Sequence, residues 1–440
     1  MDLDGFIQPA LDMLESCITF EPSYWETREK TLLEGNDVYI LGKEITKQNG
    51  PNTIRNYVTS RLWFTYRKNF PAIGGTGPES DQGWGCMLRC AQMVLGETLL
   101  RRHIGRDYKW KRDTQPEGDY EKILRMFLDE KSALYSIHQI AQMGVSEGKA
   151  VGEWFGPNTA AQVLKKLAVF DSWSNIAVHV AMDNIVIDSD VRMMATVSPP
   201  SDAVKLILEN SSLDESHMNS MNAEIPDAEE ASASGSWRPL LLIIPLRLGL
   251  TTINKVYLPA VQKFFKLETC VGIIGGRPNR ALYFVGISGE KLIYLDPHYC
   301  RPSITGQRRP VDGYDDGFDH LEEPQPSLIT PDGEVATPLD DSSYHCDLLL
   351  YMDYEEVDPS LALCLFCESE EVFERTTKEL KENVLTASKP PLFELLDQRP
   401  KGWPPFEPYF GVKTKIEMNE FHDMGDPNFS QDDDFEVLES

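Results

Sequence analysis

Long apolar runs are absent from this sequence of 440 residues. A helix that crosses a membrane needs about 20 mainly apolar residues, and the apolar run from Leu240 to Pro245 has only the length of a buried strand. The first residues also lack the basic region, apolar core and small-residue cleavage site of a secretory signal. We therefore expect a cytoplasmic protein.

Cysteine and positive charge are both scarce. The eight cysteines are mostly isolated, which is typical of a reducing compartment and not of a disulfide scaffold. Lys and Arg number 42 against 70 Asp and Glu, so the formal net charge is −28. Because phosphate contacts need clustered Lys and Arg, this charge argues against nucleic acid or anionic lipid as a direct partner. It favours a partner with a basic surface.

Periodicity is weak or missing in four parts of the chain. Residues 206–236 contain no Lys or Arg, and residues 312–341 mix acidic residues with Pro and Gly, so we predict disordered acidic insertions there. Residues 1–50 are predicted to form a flexible N-terminal arm, and residues 401–440 an acidic flexible tail. A folded domain over 51–400 remains, which is long enough to bury a full core.

Helical patterns come first in this domain and strand patterns follow. Helices are expected from Cys86 onward and over Tyr120–Asp129, Ile137–Met143 and Asn158–Phe170, the last with Asn158 or Thr159 as N-cap. Short β-rich runs indicate strands over Leu240–Pro245, Ala281–Ile287, Lys291–Leu295 and Ala362–Cys367. This order indicates an α+β fold with a mainly antiparallel sheet.

The segment from Asp81 to Cys90, with the sequence DQGWGCMLRC, carries a candidate nucleophile. Two glycines around a tryptophan give a non-helical approach, and apolar residues recur at helical spacing after Cys86. Unpaired N–H groups in a first helical turn favour the nucleophilic thiolate by about 0.3–2 kcal/mol. A lone buried cysteine is more often an inert apolar residue, so the spacing alone leaves both interpretations open.

A cysteine nucleophile needs a histidine that shares its proton, and this histidine needs an acceptor that orients it. His298 is the best placed of the eight histidines, since it follows an apolar strand in the sequence YLDPH. In an extended chain residues i and i+2 project to one side, so the Asp296 carboxylate can reach the His298 imidazole. An ordinary turn is the alternative, and the 212 positions between Cys86 and His298 leave their meeting open.

A set of further motifs lies between Ser60 and Phe373. They are RLWFTYRKNFPAIGGTGP at 61–78, SIHQIAQMG at 136–144, GPNT at 156–159, WRP at 237–239, PLRLGL at 245–250 and YLDPH at 294–298. Together with the Cys86 segment, these motifs closely resemble the autophagins of animal type, the cysteine proteases of autophagy that act on ubiquitin-like modifiers. Chance does not produce so many separate matches.

The resemblance implies a papain-like cysteine protease fold with a small inserted subdomain. It implies a catalytic triad of Cys86, His298 and Asp296, with Tyr66 and the Cys86 backbone N–H as stabilisers of the oxyanion. It also implies two reactions and no cofactor or metal. One reaction removes residues beyond the modifier's C-terminal glycine, and the other cleaves the amide between that glycine and phosphatidylethanolamine.

Two further segments match substrate-binding segments of the family. Trp154 matches the tryptophan that covers the catalytic groove, and a glycine-rich loop opposite it comprises Gly275, Gly276, Arg277 and Pro278. A narrow slot between them would admit only a flat tail without side chains, which is a physical reason to select glycine at the cleaved bond. Without the resemblance, core packing and a surface turn would be the default interpretations.

The last residues contain the sequence DDDFEVL at 432–438, an acidic run followed by an aromatic, two residues and an aliphatic. In this family it resembles the short motif that adds a strand to the modifier, with Phe435 and Leu438 in two pockets. The expected partners are modifiers of the light chain 3 and GABARAP type, free or joined to phosphatidylethanolamine. We expect a monomer that meets the membrane only through its substrate.

Several alternatives stay open. Cys90, one helical turn after the candidate nucleophile, is a candidate redox partner or a buried helix residue. His345, Cys346, Cys364 and Cys367 could be counted as zinc ligands, but Cys364 and Cys367 are three apart in a strand-like run and face opposite sides. A transglutaminase-type acyltransferase would use the same triad, and a non-catalytic adaptor would bind modifiers through the tail alone.

Overall fold

The computed structural model describes residues 22–34, 37–46, 52–112, 114–196, 236–304 and 339–411. Nearly all of the insertions predicted at 206–236 and 312–341 lies outside these residues, as does the tail motif with Phe435 and Leu438. Within the described ranges, no helix has the length and apolar character needed to cross a membrane.

Most described helices lie in the first half of the chain and the long strands in the second half, as predicted, but short strands also occur in the first half and two helices in the second. The described helices are α1 (Pro22–Leu33), α2 (Thr53–Thr59), α3 (Cys86–His103), α4 (Gly118–Arg125), α5 (Ile137–Gly144), α6 (Pro157–Leu167), α7 (Asp188–Thr196), α8 (Leu258–Phe264) and α9 (Glu370–Glu379). The described strands are β1 (Val38–Ile40), β2 (Lys43–Ile45), β3 (Tyr66–Lys68), β4 (Ala177–Val180), β5 (Ile185–Ile187), β6 (Leu240–Arg247), β7 (Cys270–Arg277), β8 (Arg280–Ser288), β9 (Lys291–Leu295), β10 (Cys300–Pro302), β11 (Leu350–Asp353), β12 (Ser360–Cys367) and β13 (Glu394–Leu396). All four predicted strands are present, and β9 has the predicted bounds.

The main sheet has the strand order β11-β9-β8-β7-β12-β6-β4. Strand β1 pairs with the end of β8, and β2 pairs with β1. Every pair in this sheet is antiparallel except β4 with β6, so the predicted α+β fold with a mainly antiparallel sheet is confirmed. The short β3 pairs in parallel with β10 in a separate ribbon, and β13 pairs in the same way with β5.

Helix α3 is buried on all sides because it lies between the sheet and other helices. Every residue from Cys86 to Arg101 is buried, and α3 contacts β7 and β8 on one side and α4, α5 and α6 on the other. Its buried carboxylate, Glu97, accepts from Arg61 at 2.9 Å and from Arg101 at 2.7 Å. A helix that is buried all round places its first residue deep inside the molecule.

A second core covers the opposite face of the sheet, where α7, α8 and α9 pack. Alternate residues of β12 divide between the two cores. Cys364 and Phe366 join the core around α3, whereas Leu363, Leu365 and Cys367 join the second core. This alternation is the expected consequence of a strand that is buried on both faces.

Part of the predicted N-terminal arm belongs to the folded body. Strand β1 pairs with Gly286–Ser288 of β8, and the side chains of Val38 and Ile40 are fully buried. Likewise Phe406, in the predicted tail, packs against His179 with ring centroids 5.4 Å apart. The prediction of a flexible arm is therefore wrong for residues 38–45, because a three-residue strand gives too short a pattern to detect.

Helix α6 starts earlier than the sequence indicated. It begins at Pro157 with Gly156 as N-cap, so the prediction of Asn158 or Thr159 as the cap is wrong. Proline suits the first helical position because its fixed φ fits a helix and no N–H is left unpaired. The segment GPNT therefore forms the N-cap and the first turn of α6, directly after Trp154 and Phe155.

Candidate active site

Cys86 is the first residue of α3 and is 1% exposed. The N-cap residue before it, Gly85, has no side chain to cap the helix. A Cβ on Gly85 would lie 2.4 Å from Oδ2 of Asp81, so only glycine fits between that carboxylate and the start of the helix. The predicted position of the cysteine at a helix N-terminus is confirmed, and a buried carboxylate explains the glycine in front of it.

A buried network of ion pairs holds the loop that leads to Cys86. Arg89 donates from Nε to Asp81 Oδ2 at 2.7 Å and from Nη1 to Asp129 Oδ1 at 2.9 Å. The backbone N–H of Arg67 in β3 donates to Asp81 Oδ1 at 2.6 Å. The side chains of Arg89, Asp81 and Asp129 are at most 1% exposed. A charge so deeply buried is tolerated only if it is paired with an opposite charge. The network therefore fixes the loop to both α3 and β3.

Strand β3 also holds the segment that carries His298. Cys300 in β10 lies opposite Tyr66 in the parallel pair. The Tyr66 backbone N–H donates to the Pro297 carbonyl at 2.9 Å, and Trp63 Nε1 donates to the Asp296 carbonyl at 2.7 Å. These contacts bring together segments that are 233 positions apart in the chain.

The Asp296 carboxylate reaches the His298 imidazole, as the two-residue spacing predicts. Oδ1 of Asp296 lies 2.5 Å from Nδ1 of His298 and accepts the His298 backbone N–H at 3.0 Å. Burial acts to raise the pKa of Asp296, but His298 and then the Arg280 guanidinium lower it, and the net pKa lies below its ordinary value. The carboxylate is therefore ionised near neutral pH and keeps a proton on Nδ1 of the imidazole.

The Cys86 thiol and the His298 imidazole meet, and each shifts the pKa of the other. Burial acts to raise the pKa of Cys86, but His298, the Ala281 N–H and the Tyr66 hydroxyl lower it below its ordinary value. Burial acts to lower the pKa of His298, but Asp296 and Cys86 raise it. Both shifts favour a thiolate–imidazolium pair. Nε2 of His298 is buried with no regular hydrogen-bond partner among the described residues, so it can take the thiol proton.

Tyr66 completes the group of side chains around the sulfur. It is 5% exposed, and its ring meets the His298 ring edge-on with centroids 5.4 Å apart. Its hydroxyl interacts with the Cys86 sulfur and with the Gly83 backbone N–H. Burial, followed by the negative charge of Cys86, raises the pKa of Tyr66, so the hydroxyl stays protonated and can donate.

Two groups at the start of β8 were not predicted from the sequence. The backbone N–H of Ala281 reaches the Cys86 sulfur, and Arg280 donates from Nη2 to Asp296 Oδ2 at 3.1 Å. A backbone N–H donor cannot be recognised from the type of residue. The role of Arg280 depends on the pairing of β7 with β8, which the local sequence does not show. The nearby glycines were the only signal that this strand end approaches the site.

The predicted glycine-rich loop over 275–278 is mainly strand. Strand β7 continues through Arg277, so only two residues form the turn to β8. Gly276 has φ +154°, and a Cβ there would lie 2.0 Å from the Arg280 carbonyl oxygen. The loop prediction is therefore wrong for Gly275 to Arg277, because β7 and β8 approach too closely for any other residue at Gly276 and keep pairing to the hairpin end.

Trp154 is exposed while its neighbour is buried. Its side chain is 41% exposed, whereas Phe155 is fully buried against Gly144, where a Cβ would lie 2.1 Å from the Phe155 ring. No hydrogen bond or ring contact among the described residues joins Trp154 to Cys86 or His298. The tryptophan is therefore held on the surface by a buried phenylalanine at the entry to α6.

The remaining cysteines do not form a second reactive group in the described chain. Cys90 is fully buried, and burial raises its pKa well above the ordinary value, so it stays a thiol, which is a poor redox nucleophile. Cys364 and Cys367 lie on opposite faces of the sheet. His345 instead contacts the Tyr120 hydroxyl at 2.8 Å and the Thr59 carbonyl at 2.7 Å.

Comparison with known proteins agrees with this geometry. The family described as the peptidase C54 catalytic domain matches residues 51–379. The chain is 40% identical over 421 residues to cysteine protease ATG4A of Xenopus laevis, covering 95% of this chain and 96% of the relative. It is 38% identical over 435 residues to cysteine protease ATG4A of Homo sapiens, with 98% and 100% covered.

A second type of relative is equally similar. The chain is 43% identical over 382 residues to cysteine protease ATG4B of Xenopus laevis, covering 86% of each protein. The family match includes Cys86, Asp296 and His298 and most of both cores. The chain therefore belongs to the peptidase C54 family, the autophagins of animal type, and is a cysteine protease of autophagy with a papain-like fold.

Proposed function

We propose that this protease cleaves the bond after the C-terminal glycine of ubiquitin-like autophagy modifiers of the light chain 3 and GABARAP type. It acts on the free precursor and on the modifier joined to phosphatidylethanolamine. The observation that supports this most is the Cys86 sulfur at a helix N-terminus, in contact with His298, the Tyr66 hydroxyl and the Ala281 N–H. Because both substrates are amides of glycine, one nucleophile can serve both reactions.

In the first half of the reaction the Cys86 thiolate attacks the glycine carbonyl carbon. The carbonyl oxygen becomes an oxyanion, which the Tyr66 hydroxyl and the Cys86 backbone N–H stabilise. The His298 imidazolium gives its Nε2 proton to the leaving nitrogen, the C–N bond breaks, and a thioester joins the glycine to Cys86. The leaving group is the amine of the next residue or the ethanolamine nitrogen.

In the second half water replaces the leaving amine. Neutral His298 takes a proton from water while the water oxygen attacks the thioester carbon. The C–S bond then breaks, and the thiolate–imidazolium pair is restored. The glycine leaves as a carboxylic acid, which ionises in water. Asp296 keeps His298 in the orientation and tautomer that both steps need.

Access to the sulfur is proposed to run between Trp154 and the β7–β8 hairpin. Trp154 is exposed and can cover a substrate tail, and Gly275, Gly276, Arg277 and Pro278 form the facing edge. The Ala281 N–H, close to the turn of this hairpin, touches the sulfur, so a bulky side chain next to the cleaved bond would compete for that space. This arrangement favours glycine at the cleaved position.

The rest of the chain is proposed to aid capture of the modifier. We place the catalytic domain at 51–400, where β13 near its end still pairs with β5, and β1 and β2 from the preceding segment add to its main sheet. The motif with Phe435 and Leu438 would bind the modifier a second time and raise its local concentration. A net charge of −28 suits a modifier with a basic surface in the cytoplasm.

The test is incubation with a modifier that carries residues beyond its terminal glycine. We expect the intact protein to release the extension and Cys86→Ala to release none. Cys367→Ala is the matched control, because it removes a buried thiol on the opposite face of the sheet. Cleavage by Cys86→Ala at the rate of the intact protein would contradict the proposal.

A second arm separates hydrolysis from acyl transfer to amines. With a primary amine in excess, a hydrolase gives mainly the free glycine carboxylate, whereas a transglutaminase-type enzyme gives mainly the new amide. Mass spectrometry of the modifier C-terminus distinguishes the two products. A dominant amide product would favour the acyltransferase alternative.

A further inference from the structure

The Asp296 carboxylate has two sets of partners, one on each oxygen. Oδ1 faces His298, as described above, and Oδ2 accepts from Arg280 Nη2 at 3.1 Å. The Asp296 side chain is 10% exposed and that of Arg280 is 53% exposed. The inner oxygen is therefore used by the histidine and the outer oxygen by an arginine at the surface.

Arg280 lies at the point where the β7–β8 hairpin meets the site. It is the first residue of β8, and the next residue, Ala281, directs its N–H at the Cys86 sulfur. The Arg280 carbonyl packs against Gly276 so closely that a Cβ there would lie 2.0 Å away. The backbone of this strand end is therefore fixed, and the Arg280 side chain starts from a defined place.

The cross-strand neighbour of Arg280 has a different partner. Arg277 lies opposite Arg280 in the ladder and donates from Nη2 to Glu356 Oε2 at 2.7 Å. Both arginines are about half-exposed, and within the described part of the chain each forms one ion pair with a carboxylate. Arg277 is thus a natural control for the general effect of an arginine at this hairpin.

We propose that Arg280 is a positioning residue of the Cys86–His298 pair, which acts by holding the outer oxygen of Asp296. A carboxylate fixed at both oxygens cannot rotate about its Cβ–Cγ bond, so Oδ1 stays on Nδ1 of His298. Arg280 also joins the hairpin that contacts the sulfur to the segment that carries the histidine. The inference rests on the proposed roles of Cys86 and His298.

The charge of Arg280 gives the proposal a defined sign. A cation beside Asp296 keeps the carboxylate ionised. This agrees with the lowered pKa of Asp296, because burial acts to raise this pKa and His298, followed by Arg280, lowers it. The same cation disfavours a second positive charge on His298. Loss of Arg280 therefore lets the imidazolium persist to higher pH, by about half a pH unit at the distances and exposure involved.

The experiment measures alkylation of Cys86 by iodoacetate as a function of pH, with Cys86→Ala as background. This anionic reagent reacts fastest while the thiolate stands beside a protonated imidazole, so the alkaline limb of the profile reports on His298. We expect Arg280→Met to move that limb upward by about half a pH unit, whereas Arg280→Lys and Arg277→Met leave it in place. No modifier is needed, so this result is independent of the proposed substrate.

Hydrolysis of an extended modifier by Arg280→Met and Arg280→Lys gives a second readout. We expect Arg280→Met to lower kcat about tenfold, less than the ~100-fold that a misplacement of 1 Å can cost, with KM within about twofold. Arg280→Lys should recover most of kcat. The proposal is overturned if Arg280→Met keeps the alkylation profile of the intact protein, or if Arg277→Met causes the same shift. A shifted alkylation profile without modifier cleavage by the intact protein would support Arg280 and contradict the proposed substrate.

Discussion

The two sides of the candidate site are held by ion pairs of opposite character. On the Cys86 side, Arg89 joins two carboxylates with every member at most 1% exposed. On the hairpin side, Arg277 and Arg280 are 43% and 53% exposed, and each pairs with one carboxylate among the residues that the structure describes. Removal of one partner from a buried pair costs several kcal/mol, whereas an exposed pair contributes at most about 1 kcal/mol. The ion pairs therefore stabilise the Cys86 side strongly, whereas those on the hairpin side contribute little to stability and the backbone ladder of β7 and β8 holds the hairpin instead.

The largest effect is expected in the buried network. Arg89→Met leaves the Asp81 and Asp129 carboxylates buried without their cation, which should lower the free energy of unfolding by about 3–5 kcal/mol. Urea denaturation at neutral pH measures the change. If Arg89→Met and Arg277→Met lowered the free energy of unfolding by the same small amount, the buried ion pairs would contribute no more to stability than the exposed ones.

Removal of the Tyr66 hydroxyl is expected to lower kcat strongly and to leave the stability of the fold nearly unchanged. Tyr66→Phe keeps the ring packed against His298 but removes the hydroxyl, so kcat should fall about 10²–10³-fold with KM nearly unchanged. Steady-state kinetics on an extended modifier tests this. Tyr344→Phe is the control, because the Tyr344 hydroxyl is buried without a hydrogen-bond partner in the described chain. An unchanged kcat in Tyr66→Phe would remove this tyrosine from the proposed mechanism.

A pH-dependent effect is expected where the two sides meet. The pKa of Asp296 is lowered from 3.8 and that of His298 is raised from 6.5, in each case by the partner against the effect of burial. Their mutual stabilisation is therefore complete between about pH 4 and 6.5, falls as pH drops through the lowered pKa of Asp296, and falls again as pH rises through the raised pKa of His298. Asp296→Asn should cost about 1.5–3 kcal/mol in that window, because it replaces a largely buried hydrogen bond between charged groups by a neutral one.

Urea denaturation of the intact protein and of Asp296→Asn at pH 3, 5.5 and 9 checks the sign. The difference in free energy of unfolding should be largest at pH 5.5. A difference that stays constant across the three pH values would mean that the carboxylate and imidazole are not linked in their titration.

The smallest effect is expected on the exposed side. Arg277→Met should change the free energy of unfolding by less than about 1 kcal/mol, and the difference should vanish in high salt because exposed charges are screened. Denaturation in low and high salt measures it. A loss of several kcal/mol that does not depend on salt would show that the Arg277 ion pair contributes as much to stability as the buried ion pairs of Arg89.

Local features of the sequence predicted much of the fold and half of the site. The start of α3 at Cys86, four strands, and the reach of Asp296 to His298 each depend on residues close together in the chain. Periodicity and turn chemistry act over the same short range, so one sequence is enough to detect them.

The features that were missed depend on residues far apart in the chain. Arg89 is an ordinary helix residue until Asp129 from another segment lies beside it, and the Ala281 N–H has no side chain to mark it. The three residues of β1 become a strand only because β8 offers an edge. Pairing across such distances is decided by the whole fold and leaves no local pattern.

The pairing of β3 with β10 has a consequence for the protein during its own synthesis. Cys86 leaves the ribosome 212 residues before His298, and the strands that bury α3 also follow it. At about 5–20 residues per second this interval lasts roughly 10–40 s. Throughout it the cysteine has no imidazole to share its proton and no Ala281 N–H to hold its sulfur. With the proposed roles of Cys86 and His298, the nascent chain is therefore inert, and proteolytic activity is expected to begin only when these two segments have folded against one another.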